Sequence, residues 1–240
     1  MGAILALDQV SKSYGALRVI DGLSLAVEEG ETLGILGPNG AGKTTLFNLV
    51  SGDVRADAGQ IRFGGREIAN EPPHRRCRLG IGRAYQIPQP FGAMTVFENL
   101  IVAASFGSQK REKETYADVV QVLRETGLLS KANRLAGTLT LLDRKRLELA
   151  RALATGPRLL LLDEIAGGLT EHEALELVEE IRRIQRQGVT MLWIEHVVHA
   201  LLAAAGRLLV LDAGRKIAEG APAAVMGDPL VQRVYMGLAA

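Results

Sequence analysis

Apolar and polar residues alternate over residues 4–10 and again over 23–27, the period of half-buried strands. Between them Ser13-Tyr14-Gly15 reads as a turn bearing an exposed aromatic. Residues 60–63, followed by Gly64-Gly65, predict another edge strand. A second pattern, short continuous apolar runs, marks residues 32–36, the four leucines 159–162 and residues 189–194. Residues 208–211, the turn Asp212-Ala213-Gly214 and residues 216–218 predict a closing hairpin. Helical spacing appears at 46–50, ended by Gly52, and at Tyr116, Val119, Val120 and Leu123, which share one face ended by Gly127. Thr170-Glu171-His172-Glu173 is a capping box that opens a helix with Leu175, Val178, Ile181 and Ile184 on its apolar side, ended at Gly188.

Strands that alternate with helices predict an α/β fold with a mainly parallel sheet covered on both faces and antiparallel strands at one edge. Pro88 and Pro90 break the pattern, and helical periodicity follows up to Gly156-Pro157. The reading is one domain: residues 1–86 and 157–240 form the α/β core with its β subdomain, and 87–156 form an inserted helical lobe. The charged run 110–114 is a solvated helix start or loop.

Composition narrows the function classes. With Lys+Arg 28 against Asp+Glu 27 the net charge is +1, which argues against a surface devoted to nucleic acid. Cys77 is the lone cysteine, so no internal disulfide can form, and a reducing compartment fits. No apolar run reaches the roughly 18 residues that span a bilayer; residues 197–211 are broken by His199 and Arg207. The first residues lack a basic stretch and Asp8 interrupts their apolar run, so no signal peptide is expected. A cytoplasmic chain is expected, with any membrane role supplied by a partner.

The strongest chemistry lies at Gly37-Pro38-Asn39-Gly40-Ala41-Gly42-Lys43-Thr44-Thr45, between the run 32–36 and the helical run 46–50. Strand, glycine-rich loop and helix is the context a phosphate-binding loop requires. The glycines let successive N–H groups turn inward toward phosphate oxygens, and the helix end adds partial positive charge. Lys43 supplies a full charge to the β- and γ-phosphates, and the Thr44 hydroxyl is placed for Mg²⁺. Asp163, at the C-terminal end of a buried strand, would hold Mg²⁺ together with Thr44, and Glu164 would polarise the water that attacks the γ-phosphate. His196 ends the run 193–196, where it could sense the γ-phosphate.

In this order the motifs resemble the ATP-binding subunits of ABC transporters over nearly the whole chain. The resemblance implies that Tyr14 stacks on adenine and that Gln86 is the Q-loop glutamine, a Mg²⁺ ligand and part of the hydrolytic site. It makes Gly168-Leu169-Thr170 the D-loop and His196 the switch histidine. Residues 80–86, 94–100 and 37–48, with the tail Val234-Tyr235-Met236-Gly237, are similar to the branched-chain amino acid (Liv-type) importers, and lipopolysaccharide-export ATPases share several of these stretches. The implied partners are transmembrane permease subunits, a second ATPase subunit and, indirectly, a substrate-binding protein, at the inner face of a membrane. The stretch 87–91 is expected to help form a groove for a permease helix, with Phe91 and Met94 as apolar contacts.

Two departures matter. The family signature LSGGQ here reads Leu139-Thr140-Leu141-Leu142-Asp143. Thr140 keeps a hydroxyl for a nucleotide held by the other subunit, but leucines replace both glycines, and Asp143 is expected to oppose a γ-phosphate. Ile165 stands where proline usually follows the catalytic glutamate. The altered signature favours a heterodimer with unequal sites over a homodimer. A lipid or lipopolysaccharide exporter and a low-turnover regulatory subunit are the alternatives.

Overall fold

A computed structural model describes residues 2–108, 110–195 and 198–236. In chain order the elements begin with β1 (Ala3–Tyr14), β2 (Leu17–Glu28), β3 (Thr32–Leu36), α1 (Lys43–Ser51), β4 (Ala58–Phe63), β5 (Arg66–Glu67), α2 (Pro73–Leu79) and β6 (Ile81–Ala84). Next come α3 (Val96–Ser108), α4 (Glu112–Glu125), α5 (Leu141–Ala154), β7 (Leu159–Asp163) and α6 (Glu171–Gln185). The chain continues with β8 (Thr190–Ile194), α7 (Val198–Ala204), β9 (Arg207–Asp212), β10 (Arg215–Gly220), α8 (Pro222–Met226) and α9 (Pro229–Met236). Contacts divide it into two units, residues 1–73 with 190–240, and residues 74–189.

In the first unit β2, β1, β4 and β5 form an antiparallel sheet in that order. Its alternating burial is interrupted where Gln9, at φ 48°, sits in a register shift between Leu7 and Val10. The Ser24 hydroxyl accepts from the Gln9 backbone N–H at 3.0 Å and from its side-chain amide at 2.9 Å, which satisfies the bulge. At the far end of β1, Asp57 accepts from Lys12 Nζ at 2.7 Å and from the Ser13 N–H at 2.6 Å, fixing the backbone just before Tyr14.

The same unit contains β3, which pairs parallel with β8 on one side and β9 on the other. All five residues of β3 are buried, as a continuous apolar run requires. Gly34 lets α7 and β9 approach: a Cβ there would stand 2.6 Å from Leu208 and 3.4 Å from Leu201. The hairpin of β9 and β10 turns at Ala213 (φ 43°) and Gly214 (φ 77°), both positive as tight hairpin turns demand.

The second unit encloses the helical stretch 87–156 and extends beyond it on both sides. Its β6 and β7 pair in parallel from Ile81 opposite Leu159 to Ala84 opposite Leu162. Helix α5 lies tight on β6, where a Cβ on Gly82 would stand 3.0 Å from the Ala152 carbonyl oxygen. Val96, Leu100, Val119, Leu123, Leu147 and Ala150 form the apolar centre of α3, α4 and α5. Two expected helix faces are corrected. Tyr116 is 41% exposed, meeting Phe97 edge-on at 5.6 Å, and Thr115 takes the buried place in the 115–119–123 line. Leu175 is 47% exposed, because Ala174, Leu177, Val178, Ile181 and Ile184 already make the stripe that α6 buries.

Candidate nucleotide-binding and hydrolysis residues

The loop after β3 takes the geometry its glycines permit: φ is 151° at Gly37, 81° at Gly40 and 101° at Gly42. Two of these positions exclude any side chain. A Cβ on Gly37 would stand 2.2 Å from the Leu211 carbonyl oxygen, and one on Gly42 would stand 2.6 Å from that of Val19. Helix α1 opens at Gly42 without a side-chain cap and without an acidic residue in its first turn. The positive end of its dipole therefore lies at the glycine loop. Lys43 curls back over the loop, donating to the carbonyls of Gly37 at 2.7 Å and Pro38 at 3.0 Å, and is only 6% exposed. Asn39 and Gly40 form the exposed rim, Pro38 is half-buried and Ala41 buried. Thr44 is exposed at the first turn and Thr45 is half-buried behind it. The loop's shape and charge suit phosphate oxygens. Tyr14 is 47% exposed, with the Lys12 ammonium 5.5 Å from its ring centroid, and so presents an aromatic surface of the kind that stacks on a base.

The second unit holds the two carboxylates expected to act in hydrolysis. Burying all of β7 carries Asp163 to its C-terminal end, 5% exposed, where Arg83 of β6 donates to Asp163 Oδ2 at 2.6 Å. Glu164 follows with φ at 47°, a strained backbone for a residue with a Cβ. The Gln86 side-chain amide donates to Glu164 Oε2 at 2.6 Å. Gln86 and Glu164, distant in sequence, are thus brought together. In this unit Asp163 and the Gln86 side-chain carbonyl carry hard oxygen donors, and in the first unit Thr44 carries another; such donors are the chemistry Mg²⁺ requires.

Thr140 caps α5, its hydroxyl accepting from the Asp143 N–H at 3.3 Å. The expectation for Asp143 is corrected. Its carboxylate turns inward, 2% exposed, and both of its oxygens accept from Lys131 Nζ at 2.6 Å. A neutralised inward carboxylate opposes no phosphate. The altered signature instead presents Leu141, 45% exposed, while Leu142 is buried. His196 lies outside the described residues.

Sequence reasoning missed Arg83, Lys145, Glu148 and Arg151. The last three are spaced i, i+3, i+6 along α5, a visible signal, but each also meets a backbone group that no pattern reveals. Among the described residues, no helix is long and apolar enough to cross a membrane.

The family described as ABC transporter matches residues 20–167, and that described as branched-chain amino acid ATP-binding cassette transporter matches residues 215–240. The chain is 36% identical over 251 residues to the high-affinity branched-chain amino acid transport ATP-binding protein BraF of Pseudomonas aeruginosa, covering 98% of each chain. It is 35% identical over 235 residues to the lipopolysaccharide export system ATP-binding protein LptB of Haemophilus influenzae, covering 98% of each. Its fold matches the crystal structure of an ATP-binding cassette of an ABC transporter in the ADP conformation, with a TM-score of 0.89 and 31% identity over 99% of this chain and 100% of that one. With its phosphate cradle, its paired Gln86 and Glu164, and this likeness from end to end, the chain belongs to the ABC transporter family as an ATP-binding, ATP-hydrolysing subunit.

Proposed function

We propose that the chain is the ATP-driven motor of an importer for branched-chain or related amino acids, held peripherally at the inner face of the membrane by permease subunits. The observation that carries the cargo class is the match of residues 215–240 to the branched-chain amino acid cassette, added to the ABC match over 20–167. A substrate-binding protein delivers the amino acid to the permease. The exposed Ile87 and Phe91, with half-buried Met94, are the apolar groups of this chain that meet a permease helix.

In the hydrolytic cycle the loop N–H groups and Lys43 hold the β- and γ-phosphates, and Tyr14 stacks on the adenine. Thr44, Asp163 and Gln86 would hold Mg²⁺, which would supply positive charge to offset the negative charge of the phosphates. Glu164 takes the proton of the attacking water. Gln86, donating to the same carboxylate, fixes its direction. His196 donates to the γ-phosphate. Arg83 is the counter-charge of Asp163. A second ATPase subunit completes the assembly, and the leucines at 141 and 142 favour a partner with a glycine-bearing signature over a second copy of this chain.

The test is uptake of radiolabelled leucine, isoleucine and valine by cells that lack this chain. Uptake should fall and be restored by the wild-type chain but not by Lys43→Ala. The likeness to the lipopolysaccharide-export ATPase supports a second reading. Normal amino acid uptake together with loss of surface lipopolysaccharide would replace import by export.

A further inference from the structure

We infer that Lys145 is a positioning residue for hydrolysis: by fixing the Gln86 carbonyl it aims the Gln86 side-chain amide at Glu164. This rests on the reading of Gln86 and Glu164 as hydrolytic residues. Residues 85–91 lie beyond the end of β6 and have no regular structure, so no strand ladder sets their course. Their backbone is met instead by three charged side chains of α5. Lys145 Nζ donates to the Gln86 carbonyl at 2.6 Å. Glu148 accepts from the Tyr85 N–H at 3.4 Å and from the Gln89 N–H. Arg151 donates to the Gln89 carbonyl at 3.0 Å and to Glu148 at 3.0 Å, and lies over the Phe91 ring at 5.4 Å.

The burial of these groups is the unusual part. Lys145 is 3% exposed and Glu148 is 6% exposed, whereas such side chains are rarely buried unless paired. A buried ammonium needs acceptors, and a charge-assisted bond to a carbonyl is among the stronger ones available. Helix α5 is itself fixed against β6 at Gly82 and Ala152, so its side chains act from a rigid base. With the Gln86 carbonyl held from behind, fewer backbone motions are open to it, and its amide meets Glu164 at 2.6 Å. Glu164 is fixed at the other end by the backbone just after β7. Lys145 acts through Gln86.

The experiment uses the purified full-length chain as Lys145→Met, Lys145→Arg, Gln86→Ala, the Lys145→Met/Gln86→Ala double variant and Glu164→Gln. Amide exchange should accelerate about tenfold across residues 85–91 in Lys145→Met and stay unchanged across 147–154, with Lys145→Arg restoring it. ATP turnover should fall about tenfold in Lys145→Met with ATP affinity within about twofold of wild type, and should fall no further when Gln86→Ala is already present. Unchanged exchange at 85–91, or an equal loss of turnover in the Gln86→Ala background, would overturn the inference. Loss of ATP affinity in both Lys145→Met and Lys145→Arg would make the residue structural and overturn it too. Glu164→Gln separates the two readings. If it retains wild-type turnover, the hydrolytic assignment itself is wrong; if it is inactive while Lys145→Met is fully active, only the positioning role is lost.

Discussion

Lys131 Nζ holds both carboxylate oxygens of Asp143 at 2.6 Å, so that the short turn Leu129–Lys131 clamps the first turn of α5. The pair is lopsided: the lysine side chain is 31% exposed and the aspartate 3%. Lys131→Met would strand a buried carboxylate whose next cation, Arg146, stands 3.7 Å away, at a cost of about 3 kcal/mol. Asp143→Asn leaves a lysine that can turn to water, at a cost of about 1 kcal/mol. Urea unfolding of the two variants measures this difference, and equal losses would mean the clamp is not what keeps Asp143 inward.

The same clamp reassigns the weakness of the altered signature from charge to shape. Leu141→Gly should raise ATP turnover by this chain alone about tenfold, the value of one recovered N–H···phosphate bond. Asp143→Asn should change it by less than about twofold. Vigorous, cooperative hydrolysis by the unaltered chain without a second ATPase would show that the leucines do no harm, and the unequal-site assembly would be abandoned.

The three loop glycines are not equivalent. Gly37→Ala brings a Cβ to 2.2 Å from backbone, whereas Gly40→Ala meets no atom within 4 Å and pays only for its positive φ of 81°. The first should abolish ATP binding or folding. The second should cost about 1–2 kcal/mol of stability and leave a folded chain. Thermal unfolding and binding of a fluorescent ATP analogue report both.

Acid stability should depend on the caps of α3 and α6. The Thr170 N–H and then its hydroxyl hold the Glu173 carboxyl below its ordinary value of 4.5, and the Thr95 N–H and hydroxyl do the same to Glu98. Because the folded value lies below the unfolded one, this stabilisation is complete above 4.5 and is lost as pH falls through the folded value. Glu173→Gln and Glu98→Gln should therefore unfold with a shallower acid dependence than wild type between pH about 5 and 3, as followed by circular dichroism. Wild-type steepness in both variants would place the acid sensitivity elsewhere.

Glu164→Gln should bind ATP as wild type does and hydrolyse it about 10²–10⁴-fold more slowly, as measured by turnover beside nucleotide affinity. Unchanged turnover would remove Glu164 from the chemistry. Lost affinity would make its role structural.

What the sequence determined by itself were the features that local chemistry dictates. The glycine spacing of 37–42 specifies a loop that only glycine can form, four leucines before Asp163 specify a buried strand, and Thr170 with Glu173 specifies a helix start. Each depends on neighbours within one turn or one strand. Tertiary structure alone decided where long side chains go. Asp143 looked outward-facing from its place in the motif, yet Lys131, twelve residues away, turns it in. Leu175 and Tyr116 fit an apolar stripe by spacing, but other residues fill the interior first. The Gln86–Glu164 contact joins residues 78 apart, and the grip of α5 on 85–91 is made on backbone atoms, which carry no sequence signature. Short-range periodicity fixes elements; charge partners are set by which distant groups the fold leaves beside them once its apolar faces are buried.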